Sequence, residues 1–274
     1  LEFALPEKIG RLLSALQIEI WEGAEGERLV FHGEYSSEEA DSMTALLLRP
    51  HLWDGMRDPY VYLVKAQGRF RSVEYGEKMG GMEKEEKLDP AEDITGEVEM
   101  YWRQELTIYD VRVVEKKGIL LNEKEFLPHE VVYRLPPQIS DAGTRVEQVR
   151  RDLERLVQMG VNVIRLEGTG TGAEGVNCSE VRTFYSLCRK RGFLTGDLWI
   201  RPENLPVYRG LPGETTCQAL LAADGRTLTE RYYYYQAKWS SEPVLYPVLS
   251  TLHRQENGLL SLTIYSLSLI HISE

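Results

Sequence analysis

The chain has 274 residues, 42% hydrophobic and 27% charged, with a formal net charge of -11, proportions of a globular protein with room for one large domain or two ordinary ones. The negative balance argues against nucleic acid as a partner, because such binding relies on Lys and Arg displacing counterions from phosphates, whereas a sugar or another small neutral ligand remains compatible. No apolar run approaches the roughly 18 residues a bilayer span needs, so no membrane partner is expected; the three cysteines Cys178, Cys188 and Cys217 are an odd number without C-x-x-C spacing, which disfavours a disulfide framework or a zinc site and favours free thiols in a reducing, cytoplasmic setting.

The first residue is Leu1 rather than Met, and the native N-terminus is expected to lie upstream. From Leu16 to Tyr109 the pattern is short β segments separated by turns: Leu16 to Trp21, Arg28 to Tyr35, Met43 to Leu48, Tyr60 to Ala66, Arg69 to Tyr75 and Val98 to Tyr109. Leu16, Ile18 and Ile20 alternate with polar residues, the period of a strand with one buried face. A small antiparallel sandwich follows from the sum. Residues 76 to 96, with Glu83-Lys-Glu-Glu-Lys87, interrupt it as a solvated loop.

After Glu115 the period changes. Gly118-Ile-Leu-Leu-Asn122 with Glu123-Lys124 reads as a hairpin, and Glu130 to Leu135 as a strand. Thr144 to Met159 places Val146, Val149, Leu153, Leu156 and Val157 on one helical face, and Gly160 stops that helix. Val161 to Leu166 is an apolar strand. Ser179 to Arg191 is a second helix with Val181, Phe184, Leu187 and Cys188 inward, and Phe193 to Ile200 another strand. Alternation of this kind argues for parallel β/α units. Thr229 to Trp239 forms a helix in which Tyr232, Tyr235 and Trp239 share a core-packing face, ended at Pro243. Val244 to Leu252 and Leu259 to Tyr265 then read as strands joined by an Asn257-Gly258 turn.

Several segments together resemble glycoside hydrolase family 2, the group of β-galactosidases, β-glucuronidases and β-mannosidases. Arg49-Pro-His-Leu-Trp-Asp-Gly-Met-Arg-Asp-Pro-Tyr-Val-Tyr62 is similar to the family's sandwich signature, and Lys117-Gly-Ile-Leu-Leu-Asn-Glu-Lys124 to the hairpin leading into its barrel. Arg151-Asp-Leu, Met159-Gly-Val-Asn-Val-Ile-Arg165 and Phe184-Tyr-Ser-Leu-Cys-Arg-Lys-Arg-Gly-Phe193 resemble its first helix, second strand and second helix. Arg231-Tyr-Tyr-Tyr-Tyr-Gln-Ala-Lys-Trp239 and Glu242-Pro243 resemble its last barrel helix and exit. The resemblance implies a multidomain α/β plus all-β chain. An immunoglobulin-like β-sandwich (1–115) would precede an incomplete (β/α) TIM-type barrel without its middle strands (116–240). The first strands of a second sandwich (241–266) would follow. Residues 267–274, similar to a translated sequencing adapter, form a non-native tail, which removes His271 as a ligand.

The family's reaction is retaining hydrolysis of a β-glycoside, which needs two carboxyl groups about 5 to 5.5 Å apart. By resemblance the acid is a Glu after an Asn on the fourth barrel strand, and the nucleophile a Glu on the seventh. Between Ile200 and Leu220 the sequence has no Asn-Glu pair and offers only Glu203 and Glu214. A strand-helix-strand unit takes about 30 residues, so that stretch cannot hold the missing units. No catalytic residue, cofactor or metal is therefore assigned, and the expectation is an inactive relative that binds a glycan or a partner, or has an architectural role. The alternatives are a hydrolase with a rebuilt site at Glu203 or Glu214, and dinucleotide binding at Gly170-Thr-Gly-Ala-Glu-Gly175, a G-x-G-x-x-G after a strand. By resemblance Arg165 and Asp197 are the candidate sugar-binding residues, each with a plainer role in a local ion pair or hydrogen bond. Beyond Arg165 the chain departs from the family's His-Tyr-Pro type loop, and it reads Tyr133-Arg134 where the family places Arg-His. An open barrel would also expose strand edges, so self-association is expected.

Overall fold

The computed structural model describes residues 1–3, 12–39, 43–73, 94–115, 117–136, 142–167, 178–196, 205–210, 219–255 and 259–267. They form two compact units, Leu1–Leu52 with Tyr60–Ile108, and Trp53–Pro59 with Tyr109–Glu274.

The first unit contains β1 (Glu2–Phe3), β2 (Leu13–Glu22), β3 (Arg28–Ser36), β4 (Met43–Thr44), β5 (Tyr62–Val73) and β6 (Ile94–Leu106). Four of them make an antiparallel sheet in the order β3-β2-β5-β6, while β1 pairs with β4. The period-two pattern of β2 holds: Leu16, Ile18 and Ile20 are buried on one face, where Met43, Ala45, Tyr62 and Phe70 pack over them. The two strands expected between Tyr60 and Tyr75 are one continuous β5. Gly68, between the two expected strands, lies in mid-strand opposite Leu16 and Met100. A Cβ there would come within 2.5 Å of the Phe70 ring, so glycine leaves room for Phe70 and Trp102 on the same face. The expected strand at Met43 to Leu48 is paired only over Met43–Thr44, so the described residues give one full sheet and a short pair. Most of the acidic 76–96 loop and the Asn257-Gly258 turn lie outside the described residues.

The second unit opens with the antiparallel trio β7 (Val111–Val114), β8 (Gly118–Leu121) and β9 (Lys124–Phe126). Asn122 and Glu123 form the expected two-residue hairpin turn with φ of 48° and 67°. Positive φ at both positions suits the twist of the flanking strands. Next come β10 (Glu130–Tyr133), α1 (Ala142–Met159), β11 (Val163–Leu166), α2 (Cys178–Lys190), β12 (Leu194–Thr195), β13 (Val207–Arg209), β14 (Ala219–Leu221) and α3 (Glu230–Trp239). The five strands form one parallel sheet in the order β12-β11-β10-β13-β14.

The strands do not follow one another in sequence order across the sheet. Strands β10, β11 and β12 are neighbours in sequence and in space, as in an arc, but β13 then adds on the far side of β10 and β14 lies outside β13. An arc continued in sequence would place the next strand beside β12.

One core lies between this sheet and its helices. Val131, Tyr133, Ile164, Tyr208 and Leu220 from the strands meet Val149, Leu153, Leu156 and Met159 of α1, Phe184, Leu187 and Cys188 of α2, and Tyr232 of α3. The predicted α1 face is therefore correct except at Val157, which is exposed. Both helix stops are glycines at positive φ, Gly160 at 85° and Gly192 at 83°, the left-handed geometry favoured after a C-terminus. Each is also a point of close approach. A Cβ on Gly160 would sit 2.2 Å from the Trp239 carbonyl oxygen, and one on Gly192 would sit 2.5 Å from the backbone of Gly55.

The four tyrosines of α3 divide between two faces. Tyr232 is buried in the core, and Tyr235 packs on it beside Trp239, as the three- and four-residue spacing predicts. Tyr233 and Tyr234 face the terminal hairpin of β15 (Val244–Arg254) and β16 (Leu260–Leu267), where Tyr233 stacks on Tyr246 at 3.9 Å. Strand β16 extends through Leu267, which pairs with Val244, one residue into the segment set aside as a tail. No helix among the described residues is long and apolar enough to cross a membrane.

Candidate functional site

In parallel sheets, ligands bind outside the carboxyl ends of the strands, where the strand order reverses. Here the reversal falls between β10 and β13. Arg134, one residue past β10, donates Nε to Glu167 Oε2 at 2.6 Å and Nη1 to the Arg209 carbonyl oxygen at 3.2 Å. The Glu167 amide donates in turn to the Tyr133 carbonyl at 2.9 Å. One guanidinium thus ties together the ends of β10, β11 and β13. Its side chain is only 18% exposed, whereas Glu167 is 51% exposed.

Below this network, on the side of the sheet away from the helices, Arg165 Nε donates to Glu130 Oε1 at 2.8 Å. The register explains the pairing, because Val132 lies opposite Arg165 and Glu130 opposite Val163, so Glu130 and Arg165 share a face. Glu130 is buried, and a charge removed from water needs such a partner. Arg165 therefore occupies the local ion pair considered for it, beneath the edge where Arg134 lies. Asp197, Glu203, Glu214 and the Gly170 to Gly175 run are outside the described residues.

On the helix side the sheet holds a second polar cluster. Asp152 is 1% exposed in the middle of α1. Its Oδ2 accepts hydrogen bonds from the Tyr133 hydroxyl at 2.9 Å and Arg209 Nη2 at 2.9 Å, and its Oδ1 from the Tyr208 hydroxyl at 3.0 Å. Burial, then the neighbouring Asp152 carboxylate, push the pKa of both phenols upward. The resemblance picked out Arg151-Asp-Leu without assigning Asp152 a role. The available signal was a carboxylate inside the apolar stripe Val149, Leu153, Leu156, a position that demands buried partners.

Among the described residues, the carboxylates near this edge are held in hydrogen bonds and ion pairs. Asp224, three residues past β14, accepts bonds from the Thr227 hydroxyl and from the amides of Thr227 and Arg226, which lower its pKa to about 2. A carboxyl held that low carries no proton to give at neutral pH. Glu167 is engaged by Arg134. Cys188 is a free, buried thiol whose pKa is raised by burial, a packing residue rather than a nucleophile. Among the described residues no group of three or more His, Cys, Asp or Glu could hold a metal ion.

No known protein-family profile matches this sequence, and no curated protein matches it either. Among solved structures, β-glucuronidase from Parabacteroides merdae is similar over 67% of this chain and 19% of its own, at 16% identity and a TM-score of 0.45. The β-glucuronidase of Ruminococcus gnavus is similar over 67% and 25%, at 19% identity and 0.42. β-Glucuronidase 3 of Bacteroides uniformis is similar over 67% and 19%, at 20% identity and 0.44. The chain spans a quarter or less of the length of these enzymes.

Proposed function

We propose that this chain is a relative of the retaining β-glycosidases of glycoside hydrolase family 2 that binds carbohydrate at the carboxyl edge of its parallel sheet without hydrolysing it. One observation carries the reading: segments that resemble the family separately in sequence converge on Trp53. Its indole is 1% exposed and packs with Leu121 of the hairpin segment, Val163 of the strand segment and Leu194 just past the helix segment. The indole N–H donates to the Arg189 carbonyl at 3.1 Å, and the Trp53 carbonyl accepts from the Asn122 side-chain Nδ2 at 2.9 Å. The Arg231 to Trp239 segment joins at Gly160, against Trp239.

In this reading the first unit descends from the immunoglobulin-like sandwich. Strands β10, β11 and β12 descend from the first three barrel strands, β13 and β14 stand beside β10 where the last ones would return, and the terminal hairpin opens a second sandwich. The Arg134, Glu167 and Arg209 network offers guanidinium and carboxylate groups suited to sugar hydroxyls, while the sequence between Ile200 and Leu220 lacks the Asn-Glu acid. Ligand-observed NMR with β-linked glucuronides, galactosides and mannosides tests the binding. Saturable uptake of one of them, weakened about tenfold by Arg134→Ala, is the expected result. Uptake of none of the three would contradict the reading.

A further inference from the structure

A cleft of about 280 Å³ opens on the helix side of the second unit, between α1 and the turn after β14, where Gln148, Arg151 and Arg155 face Gly225 and Arg226. The two carboxylates that also line it are engaged by the protein: Asp152 by Tyr133, Tyr208 and Arg209, and Asp224 by its own turn. The Arg209 guanidinium lies behind Gly225. A Cβ built on Gly225 would sit 3.2 Å from Arg209 Nη1 and 3.9 Å from Gln148 Nε2, so the glycine leaves both donors facing the space that a side chain would fill. Arg155 is fixed in place by a hydrogen bond to the Arg226 carbonyl at 3.3 Å.

Three arginines, Arg151, Arg155 and Arg226, line the cleft and Arg209 stands behind it, against two carboxylates, a local excess of two positive charges on a chain whose net charge is -11. Guanidinium donors converging on one small volume are the usual means of holding a phosphate, which presents several acceptor oxygens at once. The excess of two charges matches a phosphate monoester dianion better than the single charge of a carboxylate. We propose that the cleft between α1 and the β14 turn is a phosphate site, taking a phosphate monoester or inorganic phosphate. It lies on the helix side, apart from the Arg165 and Glu130 face, and stands independently of the carbohydrate reading.

Calorimetric titration of inorganic phosphate into the full chain at low ionic strength tests this. Saturable one-site binding is expected, weakened about tenfold by Arg151→Ala and by Arg226→Ala and left unchanged by Arg112→Ala, whose guanidinium pairs with Asp110 and Glu123 elsewhere. Residues 151 and 226 are exposed, so both cleft variants should keep the circular dichroism of the parent. The proposal is overturned by the absence of saturation, by equal affinity in both cleft variants and the parent, or by displacement of phosphate by an equal concentration of acetate.

Discussion

At the scale of single residues, Asp152 decides more than any group singled out from the sequence. It is buried between α1 and the sheet and neutralised by Arg209, so removing it strands a guanidinium and two hydroxyls without an acceptor. Loss of one partner of a buried pair costs about 3–5 kcal/mol, and Asp152→Ala should lower the unfolding free energy measured in urea by that much, a cost below about 1 kcal/mol arguing against the cluster as described. The same cluster sets an alkaline limit. Tyr133 and Tyr208 hold their protons more tightly folded than unfolded, where a phenol titrates near 10.0. Their stabilisation is fully present below that value and declines as pH rises above it toward their own raised pKa. Denaturation midpoints measured from pH 8 upward should therefore fall beyond about pH 10, less steeply in Tyr208→Phe. Arg165 shows the limit of reading residues from sequence. Its strand-end position was legible, but its partner Glu130 lies on a different strand, and a cross-strand pair follows only once the register is known.

At the scale of elements, periodicity located most of the regular structure. Both helices of the β/α part begin and end within a few residues of the expected bounds, because an apolar stripe at helical spacing and a glycine stop act locally. Gly68 misled for the opposite reason: its cause is the tertiary contact of Phe70 and Trp102, which no local pattern records. Strand order was equally hidden, since the placement of β13 and β14 beside β10 depends on pairing between segments distant in the chain. The joint at Trp53 is where several elements depend on one side chain. Trp53→Ala removes an indole packed on β8, β11 and β12 and one of the two hydrogen bonds to the Arg189 carbonyl, which also accepts from the Gly192 amide. A loss of about 3–5 kcal/mol is expected by chemical denaturation, and a near-neutral result would remove the packing basis of the family resemblance.

At the scale of the whole molecule, one face of the terminal hairpin is exposed among the described residues. Tyr246 and Tyr265 point to α3, while Leu245, Leu249 and Ile264, on the other side, are 73%, 70% and 50% exposed. A two-stranded hairpin is marginal without further cover, and an apolar patch of this kind associates. Sedimentation velocity should show concentration-dependent self-association, reduced by Leu249→Lys; a monodisperse parent across the accessible range would contradict it. The proposed function rests on the same scale, taking the converging segments as a sign of descent from a glycosidase and the short stretch from Ile200 to Leu220 as a sign against its chemistry. Its most direct test is hydrolysis of aryl β-glucuronides, β-galactosides and β-mannosides at neutral pH. No release of aglycone above background is predicted, whereas turnover that is abolished by Glu203→Gln or Glu214→Gln would show a rebuilt active site and contradict the account.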